Sequence, residues 1–238
     1  PPANSDVDFA LTVTAVSEEF NPAEPGGVAL LQATTVATIP VTVTAAADTP
    51  SLAATTTTGN EDSPIAFGGG ITFAVTDMDG SEVISKLRMA GVPTGAVIGW
   101  NNLLPGTVTN LGGGIYEITG SDAAIRAIAA TLTLTPPANS DVDATLTLTV
   151  TTRDNDGSSA NRSITQDIIV TAMADAPTAS VGAGNFNIPE DTPTALPGLG
   201  GALTDLDGSE THLFRISGIP AGSAFNSGTN LGGGIWQF

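Results

Sequence analysis

Three features of the sequence predict an all-β chain of tandem β-sandwich repeats, with one short helix per repeat. Stretches such as Ala144–Thr152 alternate Thr with Leu or Val, the period-two pattern of strands buried on one face. Gly (28 residues) and Pro (16 residues) punctuate these stretches at short intervals, which is turn chemistry. Whole segments also recur: Pro1-Pro2-Ala3-Asn4-Ser5-Asp6-Val7-Asp8 returns unchanged as Pro136 to Asp143.

Further recurrences give the spacing. Ala47-Asp48-Thr49-Pro50 becomes Ala174-Asp175-Ala176-Pro177, and Glu61-Asp62-Ser63-Pro64 becomes Glu190-Asp191-Thr192-Pro193. Asn110-Leu111-Gly112-Gly113-Gly114-Ile115-Tyr116 becomes Asn230-Leu231-Gly232-Gly233-Gly234-Ile235-Trp236. The offsets of 135, 127, 129 and 120 imply a period near 127 with loops of different length, the signature of an array. The chain divides into residues 1–49, the C-terminal part of one repeat; 50–176, a complete repeat; and 177–238, the N-terminal part of the next. The tail and the head together lack only a counterpart of about Thr119–Thr135. Two expectations stand side by side: a piece of a longer array that begins at the unnatural start Pro1, or copies that complete one another's folds.

Within 50–176 the elements follow in order. Ile71–Val75 leads into an acidic turn and Ile84–Met89 leaves it, followed by Gly95–Trp100, Thr107–Thr109 and Gly114–Thr119, the last two joined by a glycine-rich hairpin loop. Ser121 or Asp122 caps a short helix, Ala123–Ala130, with Ile125 and Ile128 facing inward at i, i+3. Thr131–Thr135, Ala144–Thr152 and Ser163–Ala172 complete a set of seven or more short strands, which indicates an Ig-like or cadherin-like sandwich. The linker Ala174-Asp175-Ala176-Pro177 is short. Proline restricts itself and its predecessor to extended geometry, so successive sandwiches are expected end to end.

Composition narrows the function. Six Lys and Arg face 24 Asp and Glu, a formal charge of −18. Such an excess repels nucleic acid and anionic membranes and calls for cations. The chain has no Cys, so neither disulfides nor thiolate metal sites can stabilise it. No apolar run approaches the roughly 18 residues of a membrane span, and no charged-then-apolar leader opens the sequence.

The acids are gathered in turns. Thr76-Asp77-Met78-Asp79-Gly80-Ser81-Glu82 returns as Thr204-Asp205-Leu206-Asp207-Gly208-Ser209-Glu210. Asp77 and Asp79, like Asp205 and Asp207, can point to one side of a tight turn that Gly80 or Gly208 permits. Glu82 and Glu210 can add a bidentate edge, giving the hard oxygen ligands that calcium takes six to eight of. Asn139, Asp141 and Asp143, matched by Asn4, Asp6 and Asp8, form a second cluster, and Asp154-Asn155-Asp156-Gly157 a third. Glu61 and Asp62 begin the repeat after the linker acid Asp48, as Glu190 and Asp191 follow Asp175. Acids at the start of one sandwich, in the linker and at the end of the preceding one could share Ca2+ at the junction. Each cluster alone is also what an ordinary solvated turn looks like. In the first repeat the third cluster is replaced by the longer stretch Ser17–Gly27, so no ion at Asp154 and Asp156 is carried over to it.

The succession Glu-Asp-(Ser/Thr)-Pro, Thr-Asp-x-Asp-Gly-Ser-Glu, Ile-Pro-Ala-Gly-Ser, Gly-Gly-Gly-Ile-Trp, Pro-Pro-Ala-Asn-Ser-Asp-Val-Asp and Ile-Pro-Val-Thr-Val-Thr-Ala-Ala-Ala-Asp-Thr-Pro resembles the long Ig-like repeats of giant RTX and LapA-type adhesins. That family is exported by type I secretion in Gram-negative bacteria. The resemblance covers nearly all of the chain. It implies a cell-surface location, attachment and biofilm formation, and repeats that act as calcium-rigidified extenders contacting neighbouring repeats. It also makes Asp77, Asp79, Glu82, Asp205, Asp207 and Glu210 calcium ligands. The family's Gly-Gly-x-Gly-x-Asp secretion repeats do not occur in this sequence.

Catalysis is not expected. His212, the sole histidine, aligns with Ile84 and reads as a surface strand residue, and no Ser has a base beside it. The glycine runs are not followed by a phosphate-binding helix. Carboxylate pairs could serve a glycosidase, but these acids recur with the repeat and lack aromatic company. Trp236 aligns with Tyr116 as a core aromatic, while for Trp100 the sequence leaves core and surface both open. The expected function is an adhesin spacer, with a laterally associating filament or sheath and a carbohydrate-binding module as the alternatives.

Overall fold

A computed structural model describes residues 1–20, 29–77, 79–182, 184–196, 198–205 and 207–238; for residues 20 and 29–31 only the backbone is described. Most of the Ser17–Gly27 insertion therefore lies outside the described residues. The strands fall into three groups that share no sheet. β1 (Phe9–Phe20) and β2 (Ala29–Val41) form a two-stranded hairpin. Residues 51–171 form a sandwich, and residues 178–237 a smaller, open set of strands.

The sandwich holds β3 (Ser51–Ala53), β4 (Thr57–Asn60), β5 (Ile65–Ala66), β6 (Thr72–Ala74), β7 (Glu82–Ala90), β8 (Val97–Gly99), β9 (Thr107–Gly112), β10 (Ile115–Thr119), helix α1 (Asp122–Ala129), β11 (Thr133–Thr135), β12 (Ala144–Asp154) and β13 (Ser159–Thr171). Its main sheet runs β4-β13-β12-β7-β10-β9, facing the small sheets β5-β11-β8 and β3-β6. The alternation read from the sequence decides the faces. Leu146, Leu148 and Val150 of β12 are fully buried and meet Leu87, Met89, Ile118 and Ile168 from the same sheet and Phe67, Ile65 and Leu134 from the opposite side. The intervening threonines of β12 lie on the outer face.

Helix α1 forms where the sequence places it. Ser121 is the cap, its hydroxyl accepting the Ala124 amide at 3.3 Å. Ile125 and Ile128 are buried at 0% and 1% exposure. Arg126 pairs with Asp122 one turn earlier at 2.9 Å and lays its guanidinium over the Phe73 ring, 4.8 Å from the centroid, a cation–π contact that ties the helix to β6. Gly91, at φ 88°, turns β7 away from the sheet; a Cβ there would stand 2.7 Å from the Thr145 carbonyl oxygen, which only glycine avoids.

The structure decides Trp100, which the sequence left open: it is 37% exposed and not in the core, because β8 ends at Gly99 and the chain turns outward through Asn101. His212 is exposed as expected but lies outside any strand, edge-on to Phe214 at 5.5 Å. More consequential is β4, which pairs parallel with β13, Thr57 opposite Ile168 through Asn60 opposite Thr171. The chain after β4 is thus delivered to the same end of the sandwich as the chain leaving β13.

The third group comprises β14 (Thr178–Ser180), β15 (Gly200–Ala202), β16 (Arg215–Ile216), β17 (Thr229–Gly232) and β18 (Ile235–Gln237). β16 and β18 pair as Arg215–Gln237 and Ile216–Trp236, the register of Arg88–Glu117 and Met89–Tyr116 in the sandwich.

Leu148 is enclosed from both sheets with no polar neighbour in its row. Leu148→Ala is expected to lower the unfolding free energy by about 2–5 kcal/mol, read as a drop in denaturant midpoint at constant m-value.

Candidate metal centres at the joints

Three hydrogen bonds recur at both joints, position for position. At the first, the Asp6 amide donates to Asp79 Oδ2 at 2.9 Å and the Asp48 amide to Glu82 Oε1 at 2.6 Å. The Thr76 hydroxyl donates to the Thr49 carbonyl at 3.2 Å. At the second, the Asp141 amide donates to Asp207 Oδ2 at 3.1 Å and the Asp175 amide to Glu210 Oε1 at 2.5 Å. The Thr204 hydroxyl donates to the Ala176 carbonyl at 2.7 Å. Each joint therefore unites the Pro-Pro-Ala-Asn-Ser-Asp loop of one repeat, the linker, and the Asp-x-Asp-Gly-Ser-Glu turn of the next.

The turns fold on their own acids. The Asp79 amide donates to Asp77 Oδ1, the Ser81 amide to Asp79 Oδ1, and the Ser81 hydroxyl to Asp77 Oδ2, at 2.9 to 3.1 Å. Asp205, Asp207 and Ser209 repeat the pattern at 2.8 to 2.9 Å. Gly80 at φ 91° and Gly208 at φ 99° close the turns. Asn4 and Asn139, at φ 56° and 54°, bend the opposing loops in the left-handed region, where Asn is the usual non-glycine occupant.

The structure locates each acid singled out in the sequence. Asp77 (7% exposed), Glu82 (5%) and Asp154 (4%) are buried together at the first joint. Asp154 stands opposite Glu82 across β7 and β12, and the Ser81 hydroxyl lies 3.4 Å from Asp154 Oδ2. Asp205 (1%) and Glu61 (1%) are buried at the second joint. Glu61, Asp205 and Asp207 each bring a carboxylate oxygen within 4.8 Å of the others. Glu61 and Asp62 do not gather beside Asp48. The parallel β4 carries them to the far end, where Glu61 Oε1 accepts the Met173 amide at 2.5 Å and Asp62 Oδ1 the Asn139 amide at 2.8 Å. Asp143 and Asp8 brace their own hairpins, accepting the Val170 and Val43 amides at 2.8 Å. Asp156 is exposed and closes its own turn onto the Ser158 amide. Sequence reasoning missed Ser81 and Ser209, whose signal was their repetition, and the pairing of Glu61 with the end of β13, which needed the parallel strand.

Charge in these joints is uncompensated. The salt bridges among the described residues, Lys86–Glu117 and Asp122–Arg126, involve none of the joint acids. Glu61, Glu82 and Glu210 each commit Oε1 to a linker-side amide, and each leaves a buried Oε2 without a hydrogen-bond partner; Asp175 Oδ2 is likewise unpartnered. A buried anion left so is costly unless a cation meets it. The donor set is all oxygen, carboxylates with backbone carbonyls nearby, which fits a hard divalent cation.

The electrostatics agree. Burial, then the charge of Asp207, raises Asp141 above the ordinary carboxylate value; burial, then the charges of Asp62, Glu210 and Asp205, raises Asp175. For Glu61 the Met173 amide pulls downward most, but burial and the charges of Asp205, Asp62 and Asp207 together outweigh it and raise it. The amides of Asp6 and Ser81 hold Asp79 far below its usual range. The amides of Ser209 and Asp141 hold Asp207 down at about 2.

Two solved structures match the chain along nearly its whole length. One is described as PcdhgB3 EC1-4 in 50 mM HEPES: 12% identity, TM-score 0.42, covering 100% of this chain and 49% of that one. The other is the surface layer protein SbsC, domains 4-9: 11% identity, TM-score 0.29, covering 99% of this chain and 34% of that one. The chain thus spans about half the length of the first and a third of the second. No protein-family model and no curated protein matches the sequence. Among the described residues no helix is long and apolar enough to cross a membrane.

The opposed shifts set a pH signature for the metal-free protein. Glu61, Asp141 and Asp175 hold protons more tightly folded than unfolded, so stability rises as pH falls from neutral through their folded pKa values, which lie above 4.5 for Glu61 and above 3.8 for the two Asp. Asp207 acts oppositely: its contribution is present above 3.8 and is lost as pH falls through about 2. In excess chelator the melting temperature is expected to climb on mild acidification and then fall, whereas a steady decline from neutral pH would contradict this assignment.

Proposed function

We propose that this chain is a calcium-stabilised extender segment of a bacterial cell-surface adhesin of the RTX or LapA type, working outside the cell as a spacer and not as an enzyme. One observation carries the reading. At both joints a glutamate holds the linker amide with one carboxylate oxygen and leaves the other buried without a hydrogen-bond partner. Asp77, Asp79, Glu82 and Asp154, with Asp6 and Asp48, would hold the cation at the first joint. Glu61, Asp62, Asp141, Asp175, Asp205, Asp207 and Glu210 would do so at the second.

A divalent cation supplies positive charge to groups that otherwise repel. In this reading it ties the loop of one sandwich to the turn of the next and limits swivelling about the linker. Pro50 and Pro177 follow the linker acids and restrict the tether further. The strength of −18 net charges then becomes conditional: repulsion between repeats without the ion, stiffness with it. Extracellular calcium is the natural ligand, because hard oxygen sites of this kind tune across millimolar concentrations in extracellular modules.

Calcium at about 100-fold over its dissociation constant adds roughly 2.7 kcal/mol to stability, a rise in melting temperature of roughly 10 °C for a unit of this size. Chelator should reverse the rise, and Asp205→Asn should remove most of the part arising at the second joint. A calorimetric melt indifferent to both ion and chelator overturns the reading. In solution scattering, the maximum dimension should shorten when calcium is withdrawn, as the joints begin to swivel.

A further inference from the structure

Half of the chain's six cations stand on one surface of the complete sandwich, the outer face of its main sheet. Arg88 of β7 lies opposite Thr149 of β12 on one side and Glu117 of β10 on the other. Lys86 lies opposite Thr151 and Thr119 in the next row of that face, about 7 Å along the strand. Arg153, two residues beyond Thr151, continues the line toward the end of β12. Arg88 and Arg153 are exposed, and neither enters a salt bridge among the described residues. With 24 acids for six cations, unpaired arginines call for another partner.

The acids lie elsewhere. Those of the joints sit at the ends of the sandwich, and Asp154, next to Arg153, is turned inward and buried. On the outer face Glu117 bridges Lys86 at 3.2 Å, and Asp167, at the far end, accepts the Thr145 hydroxyl at 2.8 Å. Arg88 is six residues along β7 from Glu82, about 20 Å. That exceeds the screening length of about 8 Å at physiological ionic strength. Beside the cations the face carries Thr147 of β12 with Asn161, Ser163 and Thr165 of β13, all exposed hydrogen-bonding side chains.

We propose that this face binds a sparsely charged anionic polysaccharide, its carboxylates meeting Arg88 and Arg153 and its hydroxyls the Thr, Ser and Asn side chains. The arginine fork takes a carboxylate bidentately. Charge density selects among polyanions. Duplex DNA carries one charge per about 1.7 Å of axis, so most of its charges would meet the chain's remaining acids. A glycan with charges spaced like Lys86 and Arg88 brings few beyond those the face neutralises. A second copy, at −18, is repelled as a whole. Affinity per sandwich is low, because exposed ion pairs are weak, and tandem repetition raises it. Arg215 of β16, opposite Gln237 as Arg88 is opposite Glu117, puts a guanidinium at the same register in the next repeat. Binding of this kind does not involve the cation at the joints and is expected in chelator.

A short hyaluronate oligosaccharide, in which carboxylated and neutral sugars alternate, is the probe. Titrated into the isotope-labelled full chain in chelator and low salt, it should shift the Nε–Hε resonances of Arg88 and Arg153 together. Those of Arg126 and Arg162 should stay in place. Arg162 lies opposite the inward-facing Val150, so its side chain leaves the sheet on the other face. Arg88→Gln should weaken binding about fivefold, and Arg162→Gln, the same loss of charge, should not. Glu117→Gln removes an acid from the face and frees Lys86, so binding should tighten about twofold to fivefold, a gain that misfolding cannot mimic. No shift at any probe concentration, equal losses from Arg88→Gln and Arg162→Gln, or shifts that require calcium would each overturn the proposal. So would tighter binding of a DNA oligonucleotide of equal charge, or self-association of the probe-free chain in light scattering, which would assign the face to nucleic acid or to a second copy.

Discussion

Each joint hinges on one hydrogen bond, from a linker amide to a glutamate carboxylate: Asp48 to Glu82 and Asp175 to Glu210. Glu82 is the first residue of β7, anchored by the sheet, and its partner belongs to a linker that no strand holds. The bond therefore fixes where one repeat begins relative to the end of the previous one. It also orients the carboxylate. With one oxygen on the amide, the other is buried without a hydrogen-bond partner, and among the described residues no salt bridge reaches it. Order in the linker and demand for a cation thus come from the same side chain.

What gathers the remaining acids is topology. β4 runs parallel to β13, so a segment early in the repeat, Glu61-Asp62, arrives at the end from which the linker departs. An antiparallel β4 would have left these acids at the opposite end, near Asp48. Three stretches separated by many residues in the chain, Glu61-Asp62, Asn139–Asp143 and Asp205–Glu210, meet at one seam. Glu190 and Asp191 occupy the matching place in the last repeat, and Asp191 shares the left-handed backbone of Asp62, φ 57° against 56°.

Local pattern made most of this legible. The alternation of β12, the Ser121 cap and the Ile125–Ile128 face are set by nearest neighbours in sequence and read directly. The Asp-x-Asp-Gly-Ser-Glu turns and the Asn-Ser-Asp loops stood out because they recur, and the structure brings both to the same seams. The short strands β3, β4 and β5 carried no such signal. Thr57–Asn60 has no apolar alternation, because an edge strand pairing through its backbone needs none. Without β4 the destination of Glu61 was hidden. Trp100 stayed undecided for a related reason: hydrophobicity alone does not say whether a chain turns inward or outward at the end of a three-residue strand. Asp156 and Asp154 form one motif in sequence, yet the strand pairing separates them. Asp154 ends β12 inside the seam, and Asp156 lies beyond the turn in solvent.

The position of Asp154 also decides what a cation would act on. Asp154 and Glu82 are cross-strand neighbours at the end of the main sheet, and like charges placed so oppose the pairing of their strands. Neutralising them strengthens β7 against β12 as well as the joint to the preceding repeat. At the second joint the gathered acids Glu61, Asp205 and Asp207 come from different repeats and include no such cross-strand pair among the described residues, so their neutralisation would act mainly between sandwiches. The apolar core, with Phe67, Leu87, Leu146 and Leu148 fully buried and no ionised group among them, is independent of either. A cation bound at these seams would therefore act on the tie between neighbours and on the end of one sheet, and not on the apolar interior.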